Sequence, residues 1–146
     1  DIAVIPGAGA AGGLGAALVG FLGGSLVSGA ELVLERLGIE AHLSDARLVI
    51  TGEGRLDGQT SRGKAPVGVA RMAQQHGVPV IALAGGISAE APALHEQGVS
   101  AYFPILSRPM SLEAAMDPAT TAAHLRGTAE QLFRLLRATD AATSRA

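Results

Sequence analysis

An apolar run that turns into a glycine-rich charged loop, and then into a helix start, constrains this chain more than any other feature. Leu48, Val49 and Ile50 read as a buried strand. The run stops at Thr51 and enters a loop with glycine at positions 52, 54, 58 and 63. Glu53, Arg55, Asp57, Arg62 and Lys64 sit among those glycines. Pro66 suits the first turn of a following helix, where its missing N–H would have had no partner. Carboxylates, cations and exposed backbone amides therefore meet where a strand hands over to a helix. Open α/β sheets bind ligands at that edge. This mixture suits a phosphate and a divalent metal better than an apolar ligand.

The rest of the chain repeats the alternation. Strand 47–51 is followed by the loop, a helix over 66–76 stopped by Gly77, and a strand over 78–84. The Gly85–Gly86 loop leads to a short helix over 89–97, stopped by Gly98, and to a strand near 100–106. An amphipathic helix covers most of 111–137, and the small polar tail from Ala138 is expected to fray. Strands alternating with helices predict an α/β fold with a parallel sheet flanked by helices. Ahead of this unit lie a short strand over 2–5, the segment PGAGAAGGLG, a helix over 14–22 and another over 31–37 closed by Gly38. The clearest boundary falls at 40–44; Ser44 reads as a helix-turn cap and Asp45 as a solvated turn residue.

Composition narrows the function. A chain of 146 residues can bury one real core. Its net charge of −2, without a basic block, argues against a nucleic-acid surface. The absence of cysteine excludes disulfides and thiolate metal sites and fits a cytoplasmic protein. His42, His76, His95 and His124 are scattered, without the spacing of a histidine metal site. No formal charge occurs from Ile2 to Ala30, but nine glycines and acidic flanks, Asp1 and Glu31, argue against a membrane span. No basic region precedes the apolar run as in a signal peptide. A chain that opens on an apolar run without Met is expected to be a piece of a longer protein.

Two glycine patterns need weighing. Gly7, Gly9 and Gly12 spell G-x-G-x-x-G, with Glu31 further on. A dinucleotide fingerprint needs a second strand ending at the acidic residue, whereas Glu31 opens a helical run. Close backbone packing, or an anion pocket made by backbone amides, are the competing readings. Gly58 to Lys64, GQTSRGK, has P-loop spacing, but Ala65 replaces the magnesium-binding hydroxyl and the first glycine lies well past the strand. A phosphate-contacting loop of another design fits better. Glu53 and Asp57 fit phosphoryl transfer, which uses magnesium and often a carboxylate that accepts the hydroxyl proton. The plainer alternative is that Arg55 and Arg62 pair with them to pin the loop.

TGEGRLDGQTSRGKAPVGVA (Thr51–Ala70) and PGAGAAGGLGAAL (Pro6–Leu18) resemble the two signature segments of the C-terminal half of type-1 glycerate kinases. Their order and separation fit, as do VPVIALAGG and the final helix. The resemblance implies ATP- and Mg2+-dependent phosphorylation of glycerate, with 2-phosphoglycerate the favoured product. It implies a Rossmann-like α/β domain carrying a second, inserted α/β domain. Residues 1–44 would then end the inserted domain as a glycine-rich helical segment, and 45–146 would form the C-terminal part of the Rossmann-like domain. Asp57 would serve the substrate hydroxyl or the metal, Glu53 the metal or the substrate, and Lys64 and Arg55 the phosphates. Gly52, Gly54, Arg62 and Gly63 would contact nucleotide or substrate, and Gly7, Gly9, Gly12 and Gly13 would line the cleft from the other domain. The family's N-terminal segments, with a lysine-bearing loop and an acidic glycine-rich motif, are not in this chain. Its expected partner is therefore the N-terminal half of the same protein, and the piece alone is expected to be inactive and to self-associate. Two rivals stand beside this reading: a nucleotide- or organic-acid-binding module without turnover, and a dinucleotide-dependent oxidoreductase fragment resting on Gly7, Gly9 and Gly12.

Overall fold

Three parallel strands, β1 (Val49–Leu56), β2 (Val80–Ile87) and β3 (Ala101–Pro104), lie side by side in that order. Val49 pairs with Val80, Leu56 with Ile87, and Ile81 with Ala101, which fixes the register. The computed structural model describes residues 2–58, 60 and 64–143. Parallel pairing needs crossover connections. The first is α4 (Ala65–Gln75); the second is a 3-10 segment, Ala91–Gln97. Gly38, Gly77 and Gly98 end their helical segments at φ of 65°, 68° and 95°, the left-handed region in which a Cβ is costly. The sequence reading of these three stops holds.

The period-2 alternation of β2 divides the core. Val80, Ala82 and Ala84 join Val67, Ala70 and Ala73 of α4, with Leu56, Leu94 and Val99, in the larger buried cluster. Ile81 and Leu83 face the other way, towards Ile105 and Leu132 of α6 (Pro118–Thr143). Helices thus pack on both faces of β2, as expected for parallel strands, while the Ile50 side of β1 is exposed. Each fully buried Val or Leu contributes about 1.5–3 kcal/mol. Aromatic side chains are nearly absent from these clusters, so the core depends on small residues and close backbone approach. Gly68, on α4, lies under Ala30 and Leu34 of α2 (Gly29–Arg36); a Cβ there would stand 3.2 Å from both side chains. Helix α3 (Glu40–Leu43) continues that layer and contributes buried Leu43.

Several boundaries differ from the sequence reading. Residues 2–4 form a 3-10 turn, not a strand; Ile5 N–H donates to the Ile2 carbonyl at 3.2 Å and Ala8 N–H to that of Ile5 at 3.0 Å. Four apolar residues carry too little periodicity to separate strand from turn. Helix α1 (Ala10–Leu22) becomes regular only at Leu14, because Ala11, Gly12 and Gly13 have φ of 51°, 69° and 98°. This agrees with the expected start. β1 continues through Gly52–Leu56, and β2 through Gly85–Gly86, where loops were expected. The final helix is split: α5 (Leu112–Met116) ends at Asp117, and α6 begins at Pro118 and runs past the expected fraying point to Thr143. Ion pairs Glu130–Arg134 at 2.9 Å and Arg47–Asp140 at 3.5 Å lie along α6. Ser44 Oγ donates to the Ala41 carbonyl at 3.3 Å, and Asp45 is an exposed turn residue, as read. Among the described residues no helix is long and apolar enough to cross a membrane.

The break before α6 has a pH signature. Thr120 N–H donates to Asp117 Oδ2 at 2.8 Å, capping the helix, and this bond holds the Asp117 pKa below its ordinary value. A depressed carboxylate pKa stabilises the fold above its unfolded value, and the contribution disappears as pH falls through the folded value. Asp117→Ala is expected to lower Tm at pH 7 and to lower it less at pH values below the ordinary aspartate pKa of about 3.9. Equal losses at both pH values, measured by circular dichroism, would exclude an ionised cap.

Candidate active site

β1 delivers Glu53 near its C-terminal end, Asp57 follows the strand, and Lys64 occupies the cap position of α4. These three meet. Lys64 Nζ lies 3.3 Å from Glu53 Oε1 and 3.7 Å from Asp57 Oδ1. Pro66 stands at the start of α4, as expected, and Lys64 makes no side-chain cap bond to the helix. A cation gains nothing from a helix N-terminus. What holds Lys64 there is the carboxylate pair.

Thr60 ties the two carboxylates together, and sequence reasoning passes over it. It is fully buried. Its hydroxyl lies 2.9 Å from Glu53 Oε2, 3.4 Å from Asp57 Oδ1 and 3.5 Å from the Arg55 carbonyl. One proton serves these three acceptors, and the shortest contact takes it to Glu53. Asp57 N–H donates to the same hydroxyl at 3.2 Å, while Thr60 N–H donates to Asp57 Oδ1 at 3.2 Å. The available signal was the D-x-x-T spacing, which supports such reciprocal side chain–backbone bonds.

Among the described residues it is Lys64 that pairs with the two carboxylates. Arg55 lies along exposed β1; its charge helps to lower the Glu90 pKa, after the larger effect of the Ser88 hydroxyl bonded to that carboxylate. Arg62 and Gly63 lie outside the described residues, so the P-loop-like spacing is described only at Gly58, Thr60 and Lys64. The histidines are engaged separately: His76 with Glu40 at 3.3 Å, His95 with the Val99 carbonyl at 2.8 Å, and His124 with Ser107 at 3.3 Å. Among the described residues no three histidines or carboxylates gather into a metal-binding group.

Beside the carboxylates opens a cavity of about 740 Å3. Gly52, Glu53, Gly54 and Arg55 of β1, and Gly85 and Gly86 of β2, form its sheet wall, opposite Met110, Met116 and Leu125. A Cβ on Gly52 would stand 2.8 Å from the Leu83 carbonyl oxygen, and one on Gly85 would stand 2.9 Å from that of Gly54. Glycine here keeps the strands paired along the cavity wall, so Gly52 and Gly54 act within a strand rather than in a loop. Gly7, Gly9, Gly12 and Gly13 do not line this cavity. Gly9, Gly12 and Gly13 face open space, whereas Gly15 makes the close approach in that segment: its Cβ would stand 2.6 Å from the Gly7 carbonyl oxygen. With a turn in place of the first strand, the dinucleotide fingerprint loses its required context.

A family model described as the glycerate kinase family matches residues 1–137. A glycerate kinase from Halalkalibacterium halodurans is 53% identical over 117 residues, covering 80% of this chain and 31% of that protein. The glycerate 2-kinase of Escherichia coli is 47% identical over 115 residues, covering 79% of this chain and 30% of that protein. A crystal structure from Salmonella typhimurium LT2, described as a "putative glycerate kinase 2", superposes with a TM-score of 0.65 at 43% identity, over 92% of this chain and 33% of the other. The chain thus spans about a third of the length of the relatives it matches.

Proposed function

Because the chain belongs to the glycerate kinase family, we propose that it is the C-terminal part of an ATP-dependent kinase that phosphorylates glycerate, with 2-phosphoglycerate as product. The observation that carries this reading is the Glu53–Thr60–Asp57–Lys64 cluster at the carboxyl edge of β1. In the reaction, the glycerate hydroxyl oxygen bonds to the γ-phosphorus of ATP as the bond to the β,γ-bridging oxygen breaks. ADP leaves, and the hydroxyl proton passes to Asp57. Lys64 offsets negative charge on the transferred group. Backbone amides near Gly52 and Gly54 and the Arg55 guanidinium face nucleotide or substrate, as would Arg62 and Gly63 from the loop. The segment holding Gly7, Gly9, Gly12 and Gly13 would approach from the inserted domain, to which residues 1–44 belong in this reading; 45–146 belong to the Rossmann-like domain.

The donor set suits Mg2+. Glu53 and Asp57 offer hard oxygen ligands that both contact Thr60, and Mg2+ is commonly held by one or two carboxylates together with phosphate oxygens and water. Bound there, it would neutralise charge on the phosphates. The test is a coupled ADP-release assay on the full-length protein with a panel of hydroxy acids. Glycerate should be the preferred acceptor, with 2-phosphoglycerate identified by NMR. Turnover of another acid, or none, would reject the assignment.

Lys64 separates a functional cluster from a merely structural one. Its side chain is 38% exposed. Such ion pairs contribute only about 0–1 kcal/mol. Lys64→Ala in the full-length protein is therefore expected to change Tm little and to weaken ATP binding by roughly 10-fold or more, the loss of one charge-assisted contact. Unchanged ATP affinity with a clearly lower Tm would make Lys64 a structural lysine.

A further inference from the structure

We propose that Thr60 is a positioning residue for phosphoryl transfer: its single hydroxyl holds Glu53 and Asp57 in the arrangement in which both carboxylates face Lys64. The inference rests on the kinase reading of this site. The two oxygens of Glu53 are divided, Oε2 receiving the Thr60 hydroxyl at 2.9 Å and Oε1 facing Lys64 at 3.3 Å. This fixes the plane of the carboxylate. Asp57 is held from both sides, its N–H donating to the Thr60 hydroxyl and its Oδ1 accepting the Thr60 N–H. Asp57 Oδ1 also faces Lys64 Nζ, at 3.7 Å.

Burial makes the device consequential. The carboxylates and Lys64 are partly exposed, with side-chain exposures of 24%, 29% and 38%. Thr60 is 0% exposed, and water cannot readily replace its hydroxyl. Glu53 and Asp57 lie on opposite sides of the end of β1, one within the strand and one after it. The buried Thr60 hydroxyl reaches both, and Lys64 meets both from the partly exposed side. A Ser hydroxyl can do this, whereas Val keeps the shape and volume but supplies neither donor nor acceptor.

The experiment uses the full-length protein with Thr60→Val and Thr60→Ser. Catalytic groups displaced by about 1 Å commonly cost up to 10²-fold in rate, so Thr60→Val should lower kcat by roughly 10–100-fold while KM for glycerate changes by less than about threefold. Thr60→Ser should return kcat to within about threefold of the parent. Crystal structures of parent and variants supply the readout that does not depend on activity. In Thr60→Val the Glu53–Lys64 and Asp57–Lys64 separations should both increase, and in Thr60→Ser they should match the parent. A Thr60→Val protein with parental kcat, or with unmoved carboxylates, overturns the proposal. So does a Thr60→Ser protein that loses as much as Thr60→Val, because packing of the methyl group would then be the cause. A parent that binds no nucleotide and phosphorylates no glycerate would instead sink the kinase reading, and the separations in the crystals would still decide whether Thr60 sets the cluster.

Discussion

Asp57→Asn in the full-length protein is expected to lower kcat by about 10²–10⁴-fold, the range a general base contributes, with a much smaller change in KM for ATP. Asparagine keeps the size of the side chain and one carbonyl oxygen, so Oδ1 can still accept the Thr60 N–H now found at 3.2 Å. What it loses is the charge that faces Lys64 at 3.7 Å and the ability to take a proton. The fold should therefore survive. A partly exposed ion pair carries little stability, and the buried Thr60 keeps Glu53 as a partner at 2.9 Å. Rapid-quench kinetics would place the loss in the chemical step. A loss smaller than about threefold would remove both the base and the metal role from Asp57, because either role requires the ionised carboxylate.

The architecture was legible because it rests on periodicity and punctuation. The apolar runs at 48–50 and 78–84, the stops at Gly77 and Gly98, and Pro66 at a helix start all report local backbone preference, and the structure follows them. The glycines at 52, 54, 85 and 86 misled because isolated propensity counts them against a strand. For two of them the place in the sheet comes from close strand approach: a Cβ on Gly52 would strike the Leu83 carbonyl, and one on Gly85 the Gly54 carbonyl. That is a tertiary constraint with no local signature. The same limit applies to the site. Charge composition marked Glu53, Asp57 and Lys64, and they converge. It did not mark Thr60, whose importance lies in burial between two carboxylates. Nor could it show that Lys64, rather than Arg55, faces them. A pair of 3-10 and αL turns also looks much like a strand and a phosphate loop when only Ile2–Ile5 and the following glycines are read.

Prepared by itself, the 146-residue chain is expected to fold around its sheet, to show no glycerate phosphorylation, and to self-associate. The relatives it matches are more than twice as long, so any site residues supplied by the remaining length are lacking in such a preparation. Its surface gives the second reason. Leu14, Leu18, Phe21 and Leu22 of α1 are exposed, Phe21 at 88%, and Val4 and Val27 add to the same apolar region of the chain. Helices in water normally bury such a face, and exposed apolar patches of that kind mark interaction surfaces or drive aggregation. β1 supplies a further contact: among the described residues only β2 pairs with it, leaving one edge of the strand unpaired beside exposed Ile50. The larger core around α4 is independent of both surfaces, because Val67, Ala70, Val80 and Leu94 are buried without them. A cooperative thermal transition should therefore accompany a dimer or larger species in light scattering. Adding the proposed N-terminal half as a separate chain should reduce self-association and restore activity together, since both defects would have the same cause. A monodisperse monomer, or glycerate phosphorylation by the chain alone, would show that these residues already form a complete unit.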